Sequence, residues 1–161
     1  MAARRTIGEW LDAYGECHRN PVNKAFHWVC VPAITVSVLA LLSALPVPAA
    51  LGALRLDWAA VVVALAMVFY LRLSPRLALG MLLVSAAALA AIRAFAAAGV
   101  APLWGAALAV FAIAWVGQFI GHAIEGKKPS FLDDVKFLLI GPIWLLADLY
   151  RRLGLWPPRA A

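Results

Sequence analysis

The chain has 161 residues, 65% of them apolar and only 14% charged, with a formal net charge of +6. An apolar share well above the roughly 45–50% of soluble domains excludes an ordinary water-soluble globule, and the charges fall between long apolar runs, as expected when lipid bathes the runs and water the joints. Lys and Arg cluster at the ends of those runs, which orientation in a bilayer and anionic lipid explain; no nucleic-acid partner is expected.

Residues 4–17 place Ile7, Trp10, Leu11 and Tyr14 at helical spacing with Glu9, Asp12 and Glu16 around the rest of the wheel, which predicts a short amphipathic helix at the membrane interface. Charges scattered through this segment argue against a cleavable signal peptide, so the first membrane helix is expected to serve as its own insertion signal. Asn20 and Pro21 read as the N-cap and first residue of a helix that runs into the membrane. Trp28–Leu45 is uncharged, of spanning length and closed by Pro46 and Pro48, which makes it span one. Span two is expected over Trp58–Leu71, with Leu54 and Leu56 available to extend it, span three over Leu77–Ile92 and span four over Val100–Gly121. Gly80, Ser85 and the Ala86–Ala88 run permit close helix approach in lipid. The last apolar run, Phe137–Leu149, is short and carries Gly141 and Pro142 at its centre, which predicts a re-entrant or interfacial segment instead of a fifth span.

No repeat or linker divides the chain, so a single domain over residues 1–161 is expected. The fold class is all-α: a polytopic membrane helix bundle of four spanning helices, an N-terminal amphipathic helix and a C-terminal re-entrant or interfacial helix. Four spans put Arg4, Arg5, Arg19, Lys24, Arg72, Arg76, Lys127, Lys128, Lys136, Arg151, Arg152 and Arg159 on one side against Arg55 and Arg93 on the other, and the richer side is expected to be cytoplasmic. A fifth crossing would move Arg151, Arg152 and Arg159 outside and weaken that asymmetry.

An even number of spans returns the chain to its starting side. His18 and His27, before span one, therefore share a membrane face with His122 at the end of span four, and these are all the histidines of the chain. Asn23 and His27 stand four apart on one helical face, and Gln118, His122 and Glu125 follow at i, i+4 and i+7 on another. Ionisable groups near lipid are costly and turn toward a partner or a cavity. Converging imidazoles beside a carboxylate suit a first-row metal ion, with iron, zinc and copper all open, and the plainer reading is three interfacial histidines with ordinary hydrogen bonds. Tyr14 either adds a phenol to this site or anchors the amphipathic helix, and Lys127 and Lys128 either attract an anionic group or serve as positive-inside residues. Cys17 and Cys30 form no metal-spaced pair. Phosphoryl and acyl transfer have no motif here, and a channel or transporter is disfavoured because the spans lack charged residues.

Two motifs resemble the Mpo1-like family: Tyr14-x-x-x-His18-x-Asn20-Pro21-x-Asn23-x-x-x-His27 followed by Val31-Pro32, and Gln118-Phe119-Ile120-Gly121-His122-x-x-Glu125-x-Lys127-Lys128-Pro129 followed by Gly141-Pro142. The resemblance implies an Fe(II)-dependent dioxygenase acting on 2-hydroxy fatty acids with O2 in α-oxidation, without 2-oxoglutarate and with a product one carbon shorter. It implies His18, His27 and His122 as iron ligands, and on the spacing of the residues Glu125 is expected to be a fourth ligand or an orienting partner of an imidazole. Asn23 and Gln118 would hydrogen-bond ligands or substrate, Lys127 or Lys128 would attract the carboxylate, and the tail would lie between the spans. Ser130 stands where relatives usually carry Ala, and Asp148 falls near a position where many carry Glu. The alternative is a non-catalytic membrane protein with a structural His/Glu zinc site. The expected address is a bacterial cytoplasmic membrane, with the N-terminus and metal site on the cytoplasmic side and no oligomer indicated.

Overall fold

A computed structural model describes residues 5–54 and 56–156, so Arg4, Arg55 and Arg159 of the charge count lie outside the described residues. These residues form seven α-helices and no strand: α1 (Ile7–Gly15), α2 (Pro21–Ser43), α3 (Ala49–Ala53), α4 (Trp58–Leu73), α5 (Pro75–Ala98), α6 (Leu103–Glu125) and α7 (Phe137–Arg152), with a 3-10 turn at Ser130–Leu132 before α7.

Local chemistry sets the boundaries. Thr6 and Glu9 close a capping box on α1. The Asn20 side chain accepts the Val22 N–H at 2.8 Å with Pro21 in the first helical position, as expected for the start of α2. Ser74 ends α4 and caps α5, which turns the chain back within one residue. Helix α6 stops at Gly126, whose φ of 71° is left-handed backbone that glycine adopts freely, and this turn aims the following segment back across the bundle end.

Three helices, α2, α5 and α6, are long and apolar enough to cross a bilayer. Helix α4 has 16 residues, about 24 Å of rise against a hydrocarbon core of about 30 Å. The anticipated extension through Leu54 and Leu56 is absent because the Asp57 carboxylate accepts the Ala60 N–H at 2.8 Å and starts the helix after them. Outward-facing Leu65, Leu83, Ile113 and Val116 are each more than half exposed, an apolar skin that suits lipid.

Helices α2 and α6 form the tightest pair. A Cβ on Gly117 would stand 2.6 Å from Cys30 Sγ, and one on Gly121 would stand 2.5 Å from Asn23 Oδ1. Only hydrogen at these two positions lets the backbones approach, the packing that small residues four apart provide in membranes.

Helix α7 runs unbroken through Gly141 and Pro142. The Tyr70 hydroxyl donates to the Leu139 carbonyl at 2.8 Å, the Arg76 guanidinium donates to the Leu155 carbonyl at 3.1 Å, and the Arg152 guanidinium lies 5.1 Å from the Trp28 ring centroid. It therefore crosses the ends of α4 and α5 and reaches α2. Helix α1 docks on α7, with Trp10 edge-on to Phe137 at 5.2 Å and Tyr14 beside Trp144 at 5.4 Å. The apolar stripe of α1 is thus spent on protein, not on the lipid surface that its amphipathic pattern suggested. Leu11, Leu77, Ile140, Ile143 and Trp144 are the buried centre of this layer.

Candidate metal centre

The segment between α1 and α2 carries His18, and three side chains tie it to the end of α6. Glu125 accepts the backbone N–H groups of Arg19 and Asn20, each at 2.9 Å. The Asn23 amide donates to the Cys17 carbonyl at 3.0 Å and to Glu125 Oε2 at 3.1 Å, and the Lys127 ammonium donates to the Glu16 carbonyl at 2.9 Å. His18 is thereby held over His27, one turn below Asn23 on α2, and over His122 on α6.

All three imidazoles are 5% exposed or less. Their ring centroids are 4.1 Å apart for His18 and His27, 5.2 Å for His18 and His122, and 5.0 Å for His27 and His122. One ligand nitrogen from each lies within 4.8 Å of the others, and among the described residues these three are the group that converges in this way.

Tautomers decide what the cluster can do. His18 Nδ1 meets the Tyr14 carbonyl, and His27 Nδ1 meets the Asn23 carbonyl at 2.9 Å. A carbonyl only accepts, so each Nδ1 must carry the proton and each Nε2 presents a lone pair. Those two Nε2 atoms face each other at 2.7 Å. Two lone pairs at that distance repel unless a proton or a metal cation sits with them. Burial first, and then the neighbouring His27, push the His18 pKa down to about 3, so the ring carries no second proton on Nε2 near neutral pH. The Nδ1 of His122 is buried without a partner among the described residues. Backbone carbonyls that fix a tautomer and leave the opposite nitrogen bare are the usual support of a metal-binding histidine, so these residues fit a first-row cation.

Tyr14 lies flat on His18, with centroids 4.2 Å apart and planes 11° apart. Burial holds its phenol protonated by pushing its pKa above the ordinary range. The ring fits because Gly141 lacks a Cβ, which would stand 3.0 Å from the Tyr14 hydroxyl.

Beside the histidines is a cavity of about 50 Å³ lined by Tyr14, Gln118, Trp115 and Ser130 among others. It holds a few water-sized molecules. Gln118 Oε1, Trp115 Nε1 and Ser130 Oγ are buried on its wall with no protein partner among the described residues, so a polar ligand has groups to meet there.

Of the residues singled out from the sequence, His18, His27, His122, Gln118 and Tyr14 come together at this cavity. Asn23 and Glu125 act one layer out, braced against backbone. Lys127 is engaged with Glu16, Lys128 is exposed, and neither lines the cavity. Asp148 pairs with Arg152 at 2.9 Å and also lies off the cavity wall. Trp115 also lines the cavity, and the sequence signal that could have found it is its position three and seven residues before Gln118 and His122 on one helix face.

The family described as 2-hydroxy-palmitic acid dioxygenase Mpo1-like matches residues 4–153, nearly the whole chain, and the chain belongs to that family. A stretch of 52 residues is 33% identical to the 2-hydroxy-palmitic acid dioxygenase MPO1 of Saccharomyces cerevisiae and covers 31% of this chain and 30% of the yeast protein. No solved structure matches.

Proposed function

We propose that this member of the Mpo1-like family is a membrane dioxygenase that uses Fe(II), held by His18, His27 and His122, to shorten 2-hydroxy fatty acids by one carbon with O2. The observation that carries this reading is the pair of bare Nε2 atoms, 2.7 Å apart and oriented by backbone carbonyls, beside a small cavity with unpartnered polar walls. The family description and the yeast relative's name supply the substrate class. Bound there, iron would supply redox chemistry and coordination positions not taken by protein.

The reaction balances with O2 as the only co-substrate. The C1–C2 bond of the 2-hydroxy acid breaks, C2 is oxidised to the carboxyl of the shorter acid and C1 leaves as CO2. The four electrons released reduce one O2, whose oxygens are accounted for in the products together with one water.

The chain's own groups position this chemistry. The protonated Tyr14 phenol and the Gln118 side chain face the cavity and hydrogen-bond the substrate's oxygens, with Trp115 and Ser130 completing the polar wall. Asn23 and Glu125 hold the His18 segment in register instead of touching the metal. Lys128 draws the anionic head toward the interface, while Lys127 secures the end of α1.

We read residues 1–161 as one domain with four crossings, α4 being the short one, and α7 as interfacial. The charge asymmetry supports a cytoplasmic N-terminus and a cytoplasmic-side metal site, and we read the address as a bacterial cytoplasmic membrane, with the lipid bilayer as the remaining partner. A closed structural zinc site is less well supported. It would need four protein ligands, whereas three imidazoles converge among the described residues and Glu125 is engaged elsewhere.

Protein purified in detergent without added metal tests this. About one iron per chain is expected, with O2 consumed and CO2 released in equal amounts on addition of a 2-hydroxy fatty acid. One tightly held zinc per chain with no oxygen uptake, before and after iron loading, overturns it.

A further inference from the structure

A second, larger cavity of about 180 Å³ lies between α2, α5 and α7. Apart from Thr35 and Ser85 its walls are apolar, and Thr35 satisfies its hydroxyl on the Val31 carbonyl at 2.9 Å. Val31, Thr35 and Pro142 line both this groove and the cavity beside the histidines, so one wall is common to the two.

The direction of the groove follows from the helices. On α2 it passes from Trp28 to Leu39, and on α5 from Met81 to Ala88. From His27 to Leu39 the α2 axis rises about 18 Å, more than half of a hydrocarbon core of about 30 Å. At its far end Leu39 and Ala88 belong to the cluster with Ala40 and Ile92, where α2 and α5 close on each other.

We infer that this groove is the binding site for the hydrocarbon tail of the 2-hydroxy fatty acid, which leaves its carboxyl and hydroxyl in the small polar cavity at the histidines. The polar cavity is too small for an acyl chain, an acyl chain has no hydrogen bonds to offer a polar wall, and the adjoining space is apolar, elongated and directed into the bilayer. A tail so placed is anchored at the end where reaction occurs. This assignment rests on the dioxygenase reading for its substrate, and the test separates the two.

The full chain in phosphatidylcholine nanodiscs is labelled with a 2-hydroxy fatty acid carrying a mid-chain diazirine, and oxygen uptake is measured in parallel. Labels are expected on the groove residues of α2 and α5 around Val36, Leu39, Val84 and Ala88, competed away by unlabelled 2-hydroxy fatty acid. Labels confined to the outer face of α6, or indifferent to the competitor while excess bilayer lipid is present, overturn the groove. Ser85→Phe and the rim variant Val84→Trp, the latter at a position 52% exposed, are expected to raise KM for a long-chain 2-hydroxy acid at least 10-fold. Turnover of a short, water-soluble 2-hydroxy acid should change less than 2-fold. Equal effects on both acids overturn the assignment. If the unmodified protein consumes no oxygen with any 2-hydroxy acid, the dioxygenase reading falls and the labelling pattern alone decides the groove. If it is active but labelled elsewhere, only the groove falls.

Discussion

The Glu125 carboxylate at the end of α6 receives the backbone N–H of Asn20 at 2.9 Å, just where α2 begins. With the Arg19 N–H on its other oxygen, this one side chain fixes the segment that carries His18 to the helix that carries His122. Charge-assisted bonds of this kind are stronger than neutral ones. Glu125→Gln presents an amide N–H₂ to one of two backbone donors and is expected to weaken metal binding by about 10–100-fold, as loss of an orienting partner does. X-ray absorption of the metal-loaded variant should keep the unmodified ligand shell. Loss of an oxygen donor from that shell would make Glu125 a ligand instead.

The three histidines proposed as ligands are expected to behave differently. His18→Ala, His27→Ala and His122→Ala should each lower bound metal from about one per chain to near zero and abolish oxygen uptake. Lys128→Ala, off the cavity wall, should keep full metal content. A His122→Ala protein with full iron and turnover would remove that residue from the centre.

Gly121 makes a packing test that touches no ligand. Its missing Cβ is filled by Asn23 Oδ1, which a methyl would meet at 2.5 Å. Gly121→Ala must push α2 from α6 or displace Asn23. Overpacking costs about 1–3 kcal/mol, so a lower melting temperature is expected together with weaker metal binding. Gly105→Ala, whose added Cβ meets nothing within 4 Å, is the control and should be close to neutral.

The histidine cluster was legible in the sequence because the even number of crossings expected between His27 and His122, with the four-residue spacing from Asn23 to His27, points all three rings to one face. The Gly117-x-x-x-Gly121 pair is equally visible in the sequence, and it, besides the small residues of α5, marks a close helix contact. Other features had no local signature. An amphipathic stripe on α1 does not say whether lipid or α7 covers it. The partners of Glu125 are backbone N–H groups, which every residue but proline carries, so spacing put Glu125 on the right face without telling a ligand from a brace. Counting apolar residues offers Leu54 and Leu56 as an extension of α4, but a single carboxylate, Asp57, starts the helix at Trp58, and its other end runs two residues past Leu71 to Leu73.

Acid should loosen the metal-free protein. His18, pushed down to about 3 by burial and by His27, takes up a proton far less readily folded than unfolded, where an imidazole titrates near 6.5. Its contribution to stability is therefore fully present above pH 6.5 and is lost as the pH falls from 6.5 toward 3, at up to about 1.4 kcal/mol per pH unit. Denaturant titrations between pH 7 and 4 should show this fall, and His18→Gln should shallow it. An unchanged slope in that variant would mean that His18 is not held neutral.

Tyr14 and Gly141 give a paired prediction. Tyr14→Phe keeps the ring stacked on His18 but removes the hydroxyl from the cavity wall, so metal content should stay near one per chain while kcat falls about 10-fold or more, as expected for a lost proton-donating contact. Gly141→Ala adds a methyl 3.0 Å from that same hydroxyl oxygen. Alone it should lower stability and tilt Tyr14 off His18. Combined with Tyr14→Phe the methyl has room, so the double variant should be more stable than the sum of the single changes predicts, a coupling expected for groups in direct contact. Additive melting shifts in this cycle would show that Gly141 is not there to admit the phenol, and the close packing of α1 on α7 would then need another cause.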